Sequence, residues 1–229
     1  MIASIFAVAT PKGGSGKTTM SILLAGELAQ QGYAIGLIDA DPQGSAYQWH
    51  ASSKARGHDP TGIDIVHATT EAAVLKRLNE LDERDAVIID TPGFADTRIT
   101  ETAFRADLVI LPCKVSMFDA SQIVRTVGFM KKRAAEMGVS EPVYRVVINE
   151  YDSLDRNTVP IREVLGYFDG EGVKLCQNAL YRRVTYRTMT NGHGTLYQMN
   201  DKDEAVRKAR YNADQVVREL LAASQEGIS

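Results

Sequence analysis

The stretch that decides the fold is "ATPKGGSGKTTM", Ala9 to Met20. It follows an apolar run, "IASIFAVAT" (2–10), and leads into "TTMSILLAGELAQQ" (18–31). In that second segment Ile22, Leu23, Ala25, Gly26 and Ala29 share one helical face, and Gly32 is a natural stop. Strand, glycine loop and helix in that order form the setting in which a chain binds phosphate. Gly13, Gly14 and Gly16 let the backbone turn its N–H groups inward around Ser15, with no Cβ in the way. The helix beginning near Thr18 adds the positive end of its dipole. Lys17 is placed to neutralise β- and γ-phosphates and the Thr18 hydroxyl to hold Mg²⁺. The loop departs from the common pattern twice. Pro11 stands where the first glycine belongs, and a second lysine, Lys12, lies inside the loop. Taken alone, Lys12 also reads as a solvated surface charge.

Outward from the loop, short apolar runs alternate with helical patterns. "YAIGLIDA" (33–40), "GIDIVHA" (62–68), "DAVIIDTPG" (85–93), "ADLVILPC" (106–113), "VYRVVINEY" (143–151) and "VKLCQNAL" (173–180) read as further strands. Helices are expected through "EAAVLKRLNEL" (71–81), between the strands at 85–93 and 106–113, and over "SQIVRTVGFMKKRAAEMG" (121–138). These strands are apolar with little alternation, as strands covered on both faces must be. The expected fold is therefore α/β, a doubly wound and mostly parallel sheet with helices on both faces. From Tyr181 the chain reads as loop and then helix, with an apolar face of Val206, Ala209, Ala213, Val216, Val217 and Leu220; "SQEGIS" (224–229) reads as a frayed end. No repeat, low-complexity tract or linker interrupts it, so residues 1–229 are expected to form a single domain.

Composition narrows the function. Hydrophobic residues at 44% and charged residues at 24% suit a globular protein, and a net charge of -3 excludes a uniformly basic nucleic-acid binder while leaving room for a local basic patch. Cys113 and Cys176 lack metal-type spacing and read as reduced core thiols of a cytoplasmic protein. No apolar stretch approaches membrane-spanning length. Asp39 and Asp41 end one strand and Asp90 another, at the edge where parallel sheets bind ligands. Aspartates also cap strands as ordinary turn residues, but three near one phosphate loop point to a site.

Together, "KGGSGKTT" (12–19), "DADPQGS" (39–45) and "DTPG" (90–93) resemble the deviant Walker A, A′ and Walker B motifs of the ParA/MinD ATPases, a branch of the P-loop NTPases. The resemblance covers nearly the whole chain. It implies ATP and Mg²⁺ as cofactors, with Lys12, Gly13, Gly14, Ser15, Gly16, Lys17, Thr18 and Thr19 around the nucleotide. It implies that Lys12 reaches across a homodimer interface to the partner's ATP. Lys12, Lys17 and Asp41 would then be catalytic, with Asp41 orienting the attacking water. Thr18, Asp39 and Asp90 would serve the metal, Asp90 through water. Thr19 would touch the α-phosphate, and Asn149 would meet the adenine edge unless it is an ordinary turn-capping asparagine. Hydrolysis would be slow without a partner.

Within the family the chain resembles the short ParA type. With its first strand starting at Ile2 and its last helix reading as core-facing, no N-terminal helix-turn-helix extension, membrane-binding basic C-terminus, iron–sulfur cluster or tyrosine-rich tail is expected. Short ParA proteins bind DNA nonspecifically as ATP dimers, are cytoplasmic and nucleoid-associated, and are released by a ParB-like or other cargo adaptor. The cargo could be a plasmid or chromosome, a protein assembly or a conjugative complex, and nothing in the sequence separates these. The candidate DNA contacts are Arg182, Arg183, Arg187, Lys202, Arg207, Lys208 and Arg210, with Lys131, Lys132 and Arg133 as a second cluster. Solvated helix faces are the plainer reading of those charges. Two other readings stay open. One is an ATP-dependent ligase of the dethiobiotin-synthetase type acting on a small carboxylate, and the other is a nucleotide-binding scaffold without turnover.

Overall fold

The computed structural model describes residues 4–92 and 104–227. Six strands, β1 (Ser4–Val8), β2 (Ile35–Asp39), β3 (Ile63–His67), β4 (Ala86–Asp90), β5 (Leu108–Cys113) and β6 (Tyr144–Ile148), form one sheet. Their order is β3-β2-β4-β1-β5-β6 and every neighbouring pair is parallel. The helices are α1 (Lys17–Gln30), α2 (Ser45–Ala55), α3 (Glu71–Glu80), α4 (Met117–Met137), α5 (Val159–Gly170), α6 (Val184–Thr190) and α7 (Glu204–Ser224).

The two-residue period of a strand divides each between two cores. Phe6, Val8, Ile35, Leu37, Ile88, Leu108, Ile110 and Val147 meet α1, α2, α6 and α7 on one face. Val109, Leu111, Val146 and Ile148 meet α4 and α5 on the other, where Ile38, Val87 and Ile89 meet α3. The apolar face expected after Val206 is buried as expected, with Ala209, Ala213, Val216, Val217 and Leu220 all in the first core.

Two expectations are corrected. Residues 173–180 are no full strand: they meet β6 through an isolated bridge at Val146 and Leu175, and again where the Leu180 N–H donates to the Ile148 carbonyl at 2.8 Å. The backbone N–H groups of Gln177 and Asn178 donate instead to the Glu219 carboxylate on α7, at 2.6 and 3.0 Å, which takes them out of the ladder. Residues 225–227 are also less frayed than expected, since they form a 3₁₀ turn in which Glu226 pairs with Arg145; residues 228 and 229 lie outside those described. The helix expected between β4 and β5 falls on residues 93–103, outside those described, apart from its last residues. Among the described residues no helix is long and apolar enough to cross a membrane.

Candidate phosphate-binding site

β1, near the middle of the sheet, runs into the loop of residues 9–16, and α1 leaves it. Gly14 and Gly16 have φ of 74° and 97°, the left-handed region where a side chain is strained. Gly16 is also needed for space, because a Cβ there would lie 1.9 Å from Asn149 Nδ2. That amide donates to the Ser15 carbonyl at 2.7 Å and ties the loop to the end of β6. Inside the loop the hydroxyls of Thr10 and Ser15 share a hydrogen bond. No side chain caps α1, so its first-turn N–H groups are left for an anion.

Lys17 is 7% exposed and its Nζ donates to the Lys12 carbonyl at 3.3 Å. Burial lowers its pKa, against the pull of Asp90 and Asp41. Parallel pairing puts Asp39 directly beside Asp90 at the carboxyl edge. Asp90 is 1% exposed and accepts from the Thr18 hydroxyl at 2.8 Å and the Ser21 hydroxyl at 3.2 Å. Burial, aided by Asp39, pushes it up to about 7, while Thr18, Lys17 and Ser21 hold it down. Burial also raises Asp39, which accepts backbone bonds from Tyr47 at 2.9 Å and Asp41 at 3.2 Å. Two buried carboxylates that resist ionisation, beside a hydroxyl that donates to one of them and keeps its lone pairs free, offer hard oxygen donors. Mg²⁺ fits that set, and its charge would offset what burial costs the acids.

Asp41 lies in the more open loop after β2. Its carboxylate accepts from Gln43 N at 2.8 Å, and its carbonyl pairs with His67 Nε2 at 2.9 Å. Lys12 points the other way. It is half exposed and its Nζ donates to Asp119 Oδ1 on α4 at 2.8 Å, 5.2 Å from the centre of the Phe118 ring.

Thr19, Asn149, Tyr181, Arg182, Arg183 and Arg187 line a cavity of about 330 Å³ beside the loop. Among the described residues Arg183 Nε is buried with no hydrogen-bond partner, and its guanidinium lies 5.5 Å from the centre of the Tyr181 ring.

The basic residues of 181–210 do not form one surface. Arg182, Arg183 and Arg187 belong to the cavity wall. Arg207 caps the carbonyls of Asp201 and Lys202, and Lys208 pairs with Glu204 at 2.6 Å. Arg210 turns inward, donating to the Leu196 and Met199 carbonyls at 3.0 Å each, with its guanidinium 5.0 Å from the centre of the Tyr197 ring. Lys132 and Arg133 both pair with Glu136, which weakens that second cluster. Ser21, His67 and Asp119 were missed in the sequence. Only Ser21 carried a signal, one helical turn beyond Lys17 on the same face.

A parallel sheet whose glycine loop opens into a helix, flanked by buried acids on β2 and β4, defines a phosphate-loop nucleotide-binding protein. The family model described as the CobQ/CobB/MinD/ParA nucleotide binding domain matches residues 6–193, and the chain belongs to that family. Protein ParA of Rhizobium radiobacter is 25% identical over 211 residues, 92% of each chain. The maintenance of carboxysome distribution protein A of Gloeobacter kilaueensis is 35% identical over 124 residues, 54% of this chain and 55% of that one. The structure of apo McdA from Cyanothece has the same fold, with a TM-score of 0.74 at 18% identity over 96% of this chain and 99% of that one.

Proposed function

We propose that residues 1–229 act as one ATPase domain that binds ATP with Mg²⁺, closes into an ATP-sandwich homodimer, holds DNA nonspecifically and positions a cargo until an adaptor stimulates hydrolysis. Relatives named for partition and for carboxysome distribution support the class of work. The observation that carries the reading is the separation of two lysines. Lys17 is buried beside the glycine loop with Asp90 and Asp41 acting on it, whereas the Lys12 side chain points out of the loop, half exposed.

In this reading Lys17 and the loop N–H groups neutralise the β- and γ-phosphates. Thr18 would hold Mg²⁺, Asp90 would do so through water, and Asp39 would help the Mg²⁺ shell. Bound there, Mg²⁺ supplies charge neutralisation on the phosphate oxygens. Asp41, in the open loop, orients the attacking water. Thr19 touches the α-phosphate, and the nucleotide's base enters the cavity beside it, where the Asn149 edge and the orphaned Arg183 Nε meet it. Lys12 completes the partner's site only in the dimer, so ATP acts as a population switch between two forms. The cation-rich cavity rim and the exposed Lys202, Arg207 and Lys208 supply phosphate contacts to DNA. The protein is expected in the cytoplasm on the nucleoid.

DNA retention by the purified protein with ATP, ADP or no nucleotide, at low salt and beside its Lys12→Ala form, tests this. Retention with ATP alone, lost in the variant, is expected. Equal retention in all states, or none, overturns the DNA-borne switch and directs attention to small carboxylate substrates.

A further inference from the structure

We propose that Asp119 is the positioning residue for Lys12. In the free subunit it holds the ammonium against the start of α4, and the ATP dimer forms by drawing Lys12 away from it. This rests on the reading that Lys12 acts across a dimer interface.

Three features of the pair carry the proposal. The first is its asymmetry: the Asp119 side chain is 11% exposed and that of Lys12 is 50% exposed, so the acid is the fixed partner and the lysine the movable one. The second is that Asp119 is anchored apart from Lys12. It occupies the first turn of α4, where its backbone N–H donates to the Ser116 side chain and the helix dipole favours an anion. The carboxylate therefore stays seated when the lysine leaves, and the pairing is reversible. The third is that no second cation pairs with Asp119 among the described residues. The neighbouring cation Lys114 is engaged with Glu150 at 3.1 Å, which leaves Asp119 to Lys12. Phe118, 62% exposed, gives the ammonium a second hold through its ring face.

A half-exposed ion pair shifts an equilibrium about two- to fivefold. Both subunits must release a lysine, so the dimerisation constant carries that factor twice, roughly four- to 25-fold. Such a hold discourages dimers without ATP yet yields to the charge of a triphosphate.

The test is the dimer dissociation constant by sedimentation, with a non-hydrolysable ATP analogue and Mg²⁺, for the unaltered protein, Lys12→Ala, Asp119→Asn and the double variant. Asp119→Asn is expected to tighten the dimer roughly four- to 25-fold at low salt. The gap should narrow at about 0.5 M salt, where screening has already weakened the pair. The double variant should match Lys12→Ala, because Asp119 acts only through the lysine. A purely structural role for Asp119 would not give that salt dependence. If the Asn variant does not fold, Asp119→Ser carries the same expectation. Loss of the dimer in Lys12→Ala with no tightening in Asp119→Asn overturns this proposal and leaves the dimer reading intact. Absence of a dimer in the unaltered protein, with nucleotide bound, overturns both.

Discussion

Glu27 lies on α1, the helix that carries the phosphate loop, and is 2% exposed. Tyr197 Oη donates to it at 2.6 Å. Burial pushes its carboxyl up to about 7 and Asp214 adds to that, against Tyr197, Arg210 and Arg218. Between pH 4.5 and about 7 the folded chain keeps a proton that the unfolded chain has lost, so stability falls as pH rises through that window. At 1.36 kcal/mol per pH unit the gap amounts to about 3 kcal/mol, fully lost above pH 7. Glu27→Gln removes that loss. The amide's extra buried donor has a cost of its own, but that cost is the same at every pH and cancels when two pH values are compared. Part of that gap is already lost at pH 5, so about 2.5 kcal/mol separates pH 5 from pH 8, which for a domain of this size corresponds to roughly 5–10 °C in Tm. Thermal unfolding of both proteins across this range, without nucleotide or Mg²⁺, measures it. An equal Tm difference at pH 5 and pH 8 would refute the reasoning.

Gly16→Ala combines a φ of 97° with the clash against Asn149, so nucleotide affinity should fall at least roughly 100-fold and Tm should drop, read with a fluorescent ATP analogue and by thermal unfolding. Asp90→Asn should raise the stability of the nucleotide-free protein above pH 7, where burial makes the native carboxylate costly, by about 2 kcal/mol or more. The same variant should lose the Tm increase that Mg²⁺ with ADP gives the unaltered protein, an increase that a chelator should reverse. Arg210→Ala strips a charged donor from two carbonyls and should lower stability by about 1–3 kcal/mol in denaturant titrations, with ATP affinity unchanged.

Much of the fold was legible because β1, β2, β4 and β5 are buried on both faces and therefore spell continuous apolar runs. α2 was not legible: "SAYQWHASSKA" buries only Ala46, Trp49 and Ser53 and has no broad apolar stripe. α5 was hidden by Pro160 at its start and by exposed Val159 and Leu165, which blur its face. The stretch at 173–180 has a strand's composition, and only the distant Glu219 decides against it. In the site, the loop and the acids could be read locally because each sits at a strand end. Asn149's hold on Ser15, Asp119's on Lys12 and Glu27's on Tyr197 join positions 134, 107 and 170 residues apart, and no local pattern encodes them. Arg210 reads as a surface charge in sequence, but the turn at 196–199 folds back onto α7 and uses it.

The central claim, that ATP closes two copies of this chain on each other through Lys12, is tested most directly by the mass of the protein in solution. Light scattering should be recorded with ATP, with ADP and without nucleotide, using Asp41→Ala to keep ATP intact and confirming the bound nucleotide in each sample. The account requires a dimer with ATP alone, and a monomer in every state once Lys12→Ala is added. A monomer with ATP bound, or a dimer indifferent to both nucleotide and Lys12, would contradict it.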